Sequence, residues 1–327
     1  MKTIARLFSA TLLVSAAATF AVRTAAQDVA AGTLVDLPKP PGVVVRTDLA
    51  YDVDPLQTLD LYLPAGRPAH PRPVIVYVHG GGWRKGDKAD GRRLAFHFVV
   101  QGYAVACIDY RLSSAAEHPA QLEDCKSAVR WLRANADRYG LDPFHFGAIG
   151  VSAGGHLAAL MGVLNINRLY ESGATLDQPS RVQAVCDFFG PTDLLRLFET
   201  SKKQGTPQAD EIVQLLGGDP HVVQAQTLSA NPIGFIAIEA PPFLIIHGDQ
   251  DTAVPLEQSQ LLYAALVKAH VSAHLHIIHG AGHTGPAFIA PDINAMVDEF
   301  FNQTLKQGDR PPNLNPAALT ESTAVKN

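Results

Sequence analysis

Residues 144–162, FHFGAIGVSAGGHLAALMG, decide how this chain is to be read. Phe144–Val151 is an apolar run with the character of a strand covered on both faces, and Gly155–Gly162 reads as a buried helix. Ser152 stands at the junction, inside Gly150-Val151-Ser152-Ala153-Gly154. A strand that turns straight into a helix holds the corner residue in a strained backbone, and glycines two positions before and after let the chain segments pass. The serine oxygen then projects at the C-terminal edge of the strand. That is the pattern of an exposed nucleophile.

Upstream, the apolar run Val74–Val78 ends in His79-Gly80-Gly81-Gly82-Trp83. Consecutive glycines free the backbone to aim N–H groups into a cavity, as the stabilisation of an oxyanion requires. Gly81 and Gly82 are the expected donors, with the Ala153 N–H completing the set. His79 reads as a structural residue of the loop, and Trp83 as a candidate substrate contact.

A serine hydroxyl needs a base, and the base needs an orienting acid. Downstream, the apolar run Phe243–Ile246 leads into His247-Gly248-Asp249-Gln250-Asp251, and Ala273–Ile278 leads into Gly280-Ala281-Gly282-His283. Ser152, Asp251 and His283 follow one another in the order expected for this elbow. All three would sit at the C-terminal edge of one sheet, where open α/β folds bind ligands. Asp249 is the rival for the acid; whichever of the two is not the acid would cap the loop. His274 and His276 would share a strand face at a spacing usable by zinc. No third ligand of regular spacing accompanies them, so no metal and no cofactor is expected. Asp109-Tyr110-Arg111 reads as a structural cluster and Asp193 as a helix cap.

The rest of the chain alternates strand and helix. Val43–Leu49 and Thr58–Leu63 read as an antiparallel pair joined by Asp52-Val53-Asp54-Pro55. Leu94 and Phe98 mark a helix that ends near Gly102, before the buried strand Tyr103–Ile108. Leu122, Cys125, Val129, Leu132 and Ala136 make a helical stripe over 119–138 that stops near Gly140. Val182–Phe188 is a further strand, and the last helix runs from about Asp292 to Leu305. This predicts an α/β fold: a mostly parallel central sheet with an antiparallel N-terminal pair and helices on both faces. No internal repeat or linker divides residues 27–305, so one domain is expected. Leu194–Ala240 is the insertion long enough to form a small lid, and 306–327 reads as a polar, disordered tail.

Composition excludes several classes. The chain has 327 residues, 47% hydrophobic and 17% charged, too apolar for a disordered chain. Lys2 and Arg6, the apolar run Leu7–Val22 and the small residues Thr24-Ala25-Ala26 read as a secretory signal over residues 1–26, cut after Ala26. A secreted or periplasmic location follows. The cut removes three cations and no acid, taking the formal charge from −5 to −8. So acidic a protein is a poor nucleic-acid binder. No stable membrane association is expected, and no motif speaks to an oligomeric state. Cys107, Cys125 and Cys186 lie in apolar strand-like or amphipathic helical segments and read as buried thiols; one bridge plus one free thiol is the alternative.

The set His79–Trp83, Asp109–Arg111, Gly150–Gly155, Gly190–Asp193 and His247–Pro255 resembles the α/β-hydrolase serine esterases. Within them it is most similar to the bifunctional feruloyl and acetyl xylan esterases, a branch near the hormone-sensitive-lipase-like enzymes. The resemblance covers about Val43 to Leu305. It implies Ser152 as nucleophile, His283 as general base and acid, Asp251 as its orienting partner and a Gly81/Gly82/Ala153 oxyanion hole. Lipase-like relatives build a large helical cap from an N-terminal extension; here the interval before His79 is short and strand-like. The expected substrates are therefore short acyl or aryl esters, small or linked to a polysaccharide. An exopeptidase, an arylformamidase and a non-catalytic binding protein are the rival readings on this fold.

Overall fold

The computed structural model describes residues 37–165 and 168–306. The predicted signal, the first ten residues of the predicted domain and the tail beyond Lys306 lie outside these. Eight strands form one sheet: β1 (Val43–Ala50), β2 (Thr58–Pro64), β3 (Arg72–Val78), β4 (Ala104–Ile108), β5 (Leu141–Val151), β6 (Ala184–Phe188), β7 (Phe243–Gly248) and β8 (Ala273–Ile278). Their spatial order is β1-β2-β4-β3-β5-β6-β7-β8. β1 and β2 pair antiparallel, β2 meets β4 antiparallel, and every later pairing is parallel. This is the mostly parallel α/β sheet with an antiparallel N-terminal pair that the sequence predicts.

The longer helices among the described residues are α1 (Arg92–Val99), α2 (Ala120–Ala134), α3 (Ala153–Val163), α4 (Leu194–Gln204), α5 (Gln208–Leu216), α6 (Glu257–Lys268) and α7 (Pro291–Phe301), with shorter helices and helical turns between some of them. Strand alternation decides which face each side chain meets. On β3, Val74, Val76 and Val78 enter the core shared with α2, α3 and α6, while Ile75 and Tyr77 enter the core shared with α1 and α7. Burying one such side chain stabilises by about 1.5–3 kcal/mol, which is why Val74–Val78 carries no charged residue. At Gly147 a Cβ would lie 2.6 Å from the Phe301 ring, so the missing side chain lets α7 close onto the sheet. The insertion between β6 and β7 carries α4 and α5, and all three cysteines are buried and unbridged.

Two buried histidines make stability depend on pH. Burial lowers the pKa of His118 to about 4 and that of His156 to about 3, against roughly 6.5 in an unfolded chain. Below about 6.5 the unfolded chain takes protons that the folded protein refuses, so stability falls on acidification by about 1.4 kcal/mol per pH unit for each histidine. Asp187 acts in the opposite sense: burial raises it to about 6, above an unfolded value of roughly 3.9, so acidification from 6 favours the folded state with a similar slope. His79, lowered by burial, adds to the histidine side. Urea melts should therefore show unfolding free energy dropping by at least about 1.4 kcal/mol from pH 6 to 5. In His118→Gln that drop should shrink by about 1 kcal/mol, one histidine's share; an unchanged slope would refute the assignment.

Candidate active site

The elbow has the geometry its glycines demand. Ser152 sits at φ 54°, ψ −120° between β5 and α3, and its N–H donates to the Phe188 carbonyl at 2.9 Å, tying the turn to β6. A Cβ on Gly150 would lie 2.1 Å from the Gly154 carbonyl oxygen, and one on Gly154 would lie 2.1 Å from the Val78 carbonyl oxygen. Only glycine fits at either place.

Loops from distant parts of the chain converge on this serine. The Ser152 hydroxyl donates to His283 Nε2 at 2.9 Å, a bond across 131 residues. His283 Nδ1–H donates to Asp251 Oδ2 at 2.6 Å, which leaves Nε2 as the bare acceptor. Asp251 follows β7, and its Oδ1 accepts the N–H groups of Ala253 and Val254, each at 2.9 Å. Burial alone would raise its pKa; the hydrogen bonds from His247, His283 and Val254 outweigh that and hold the carboxyl well below the usual carboxylate range. Those hydrogen bonds favour the ionised form of Asp251. Asp249, the rival, turns away: it accepts from His279 Nδ1 at 2.8 Å and from the Gly280 N–H at 2.7 Å, capping the loop.

Gly81 and Gly82 follow β3 with φ of +106° and +60°. Their N–H groups, like that of Ala153 at the start of α3, have no acceptor among the described residues. A Cβ on Gly80 would lie 3.4 Å from Ser152 Cβ, so the loop runs directly past this serine. His79 holds it there: its ring stacks on Tyr110 at 4.2 Å, and Nδ1–H donates to the Gly80 carbonyl at 2.7 Å. Trp83 is 2% exposed and packs edge-on against His156, one turn along α3 from Ser152. Little of its ring is open to a ligand in this arrangement.

Three contributors carry no role in the sequence reading. His247 receives the Ser259 hydroxyl at Nδ1 (2.6 Å), donates from Nε2 to the Val254 carbonyl (2.8 Å) and places that nitrogen 3.2 Å from Asp251 Oδ2. Its i,i+4 spacing to Asp251 was the available signal. Phe189, at φ 46°, packs against the rings of His283 (4.8 Å) and Phe288 (4.7 Å), forming an apolar wall beside His283. His156 donates from Nε2 to the Ala230 carbonyl at 2.7 Å, tying α3 to the insertion.

The structural clusters stand where expected. Asp109 takes the Lys88 ammonium at 2.7 Å, Arg111 pairs with Asp124 at 2.7 Å, and Asp193 accepts the Arg196 N–H at the start of α4. Among the described residues no group of three His, Cys, Asp or Glu could hold a metal ion, and none of their helices is long and apolar enough to cross a membrane.

Comparison with known proteins places this geometry in a family. The BD-FAE family model matches residues 59–266. The esterase LipC of Mycobacterium tuberculosis is 32% identical over 250 residues, covering 73% of this chain and 60% of LipC. The probable isoprenylcysteine alpha-carbonyl methylesterase ICMEL1 of Arabidopsis thaliana is 28% identical over 271 residues, covering 81% of this chain and 56% of that protein. This chain thus spans less than two thirds of either curated relative. Among solved structures, a truncated carbohydrate esterase from gut microbiota superposes with a TM-score of 0.70 at 30% identity, covering 80% of this chain and 96% of that one. Esterase B from Lactobacillus rhamnosis superposes with a TM-score of 0.72 at 27% identity, covering 86% of this chain and 93% of that one. With the elbow, the strand order and a family match over more than half its length in agreement, the chain belongs to the BD-FAE family and carries the α/β-hydrolase fold.

Proposed function

We propose that this protein is a secreted or periplasmic serine carboxylesterase that cleaves short acyl or aryl esters, with esters carried on a polysaccharide such as xylan as its natural substrates. The observation that carries the reading is the unbroken relay from the Ser152 hydroxyl through His283 to Asp251, opposite backbone donors without acceptors. Location rests on the N-terminal signal pattern, and the sugar reading on the likeness to a carbohydrate esterase.

The mechanism follows from the hydrogen-bond directions. His283 Nε2 takes the Ser152 proton as the oxygen attacks the ester carbonyl, and Asp251 stabilises the imidazolium that forms. The N–H groups of Gly81, Gly82 and Ala153 receive the oxyanion. Collapse breaks the bond to the alcohol, which leaves with the proton from His283. Water then repeats the sequence on the acyl-serine, releasing the acid and restoring the serine.

Two readouts on the full chain test this. A fluorophosphonate probe should label Ser152, and acetylated xylan should release acetate. Labelling with release confirms both halves. Labelling and p-nitrophenyl acetate turnover without release from xylan would leave a small-ester carboxylesterase. No label at Ser152 would overturn the proposal.

A further inference from the structure

The helix α5 brings a carboxylate onto the oxyanion loop. A Cβ on Gly82 would lie 2.3 Å from Glu211 Cδ, 2.4 Å from Oε2 and 2.6 Å from Oε1, so the carboxylate fills the space where a side chain at position 82 would be. Glu211 is half-buried, and among the described residues it makes no side-chain hydrogen bond and no ion pair. Arg84 and Lys85, just beyond Gly82, are exposed and do not reach it. One turn earlier on the same face, Gln208 Oε1 is buried and also lacks a donor. The helix is held in place at its far end, where the Leu215 carbonyl accepts the His118 N–H at 2.7 Å.

An unpaired carboxylate is an odd neighbour for a cradle that must receive a developing oxyanion, because like charges raise the barrier. The arrangement makes sense when the substrate itself supplies donors to the carboxylate. Its two oxygens accept hydroxyls from adjacent carbons in the way a bidentate acceptor does, with charge-assisted bonds about twice as strong as neutral ones. We infer that Glu211 is a specificity-determining residue that binds vicinal hydroxyls of the substrate's alcohol portion, favouring acyl esters of sugars and disfavouring esters that bear a carboxylate. This rests on the esterase reading above and adds the residue that selects the alcohol.

The test compares wild type with Glu211→Gln on monoacetylated xylobiose, on p-nitrophenyl acetate, which has no hydroxyls, and on acetylcholine. In the variant, kcat/KM for acetylated xylobiose should fall about tenfold with the loss of the charged acceptor. On p-nitrophenyl acetate it should rise about threefold, the effect of removing one nearby unit charge in a water-accessible mouth. Equal changes on these two esters would overturn the inference alone, leaving the esterase reading intact. A loss on acetylcholine larger than that on the sugar would overturn it in favour of a cation site. Wild type silent on all three esters would overturn both readings. A matching thermal unfolding midpoint for the two proteins confirms that the comparison reports binding and not folding.

Discussion

Ser152→Ala is expected to lower ester turnover by about 10⁴-fold or more while leaving the fold unchanged. The loss is large because the nucleophile, the base and its orienting acid act as one unit. Without the oxygen, no acyl-enzyme forms and His283 has nothing to deprotonate. What survives is catalysis by the backbone donors and by positioning, worth roughly 10³–10⁴ over water in comparable enzymes. The fold should tolerate the change since alanine keeps the Cβ, and the only side-chain hydrogen bond lost among the described residues is the one to His283. The left-handed backbone at this corner is the same for either residue. Thermal melts should coincide within the scatter of surface substitutions, about 0.5 kcal/mol. Turnover within tenfold of wild type would remove Ser152 from the mechanism.

Gly154→Ala should have the opposite signature, an effect on folding before any on chemistry. Its Cβ would lie 2.1 Å from the Val78 carbonyl oxygen, 2.5 Å from that of His79 and 2.7 Å from the Val78 carbonyl carbon. All three are backbone atoms, so no rotamer relieves the collision. The helix α3 would have to move off β3, yet every residue of α3 is buried. The cost should exceed about 4–5 kcal/mol, the range reserved for severe core damage, against a total stability of about 5–15 kcal/mol. Soluble protein should be scarce and, where recovered, should melt far below wild type. Gly205→Ala is the control: it has open space around it but a φ of +68°, and should lose only about 1–2 kcal/mol. A Gly154→Ala protein as stable as that control would mean the elbow is looser than its geometry indicates.

The sheet was legible in the sequence because buried parallel strands such as β3 and β7 leave continuous apolar runs and the antiparallel N-terminal pair leaves β-rich runs around a turn, and the eight strands occur where those runs lie. The ends were less legible, for local reasons. Tyr103 reads as strand, but its N–H is taken by the Phe98 carbonyl at the close of α1, so β4 begins one residue later. Val182 reads as strand too; its N–H and carbonyl are both satisfied by the Asn165 amide, and β6 starts at Ala184. At the site, Ser152, Asp251 and His283 were visible because loop chemistry at strand ends leaves short motifs. Glu211 was not. It lies on an ordinary amphipathic helix, and its meeting with Gly82 exists only after the insertion has folded back over the loop. Phe189 was hidden in the same way, since its partners His283 and Phe288 are remote in sequence.

The 131-residue span between Ser152 and His283 also orders events during synthesis. A ribosome adding about 5–20 residues per second exposes the serine roughly ten seconds before the histidine has been made. Through that interval the nascent chain holds the serine without the histidine proposed to deprotonate it. On the mechanism proposed above, the growing polypeptide is thus chemically mute until the loop carrying His283 has been made, and a product truncated by a stalled ribosome before that loop would carry no hydrolytic activity into the cell that made it.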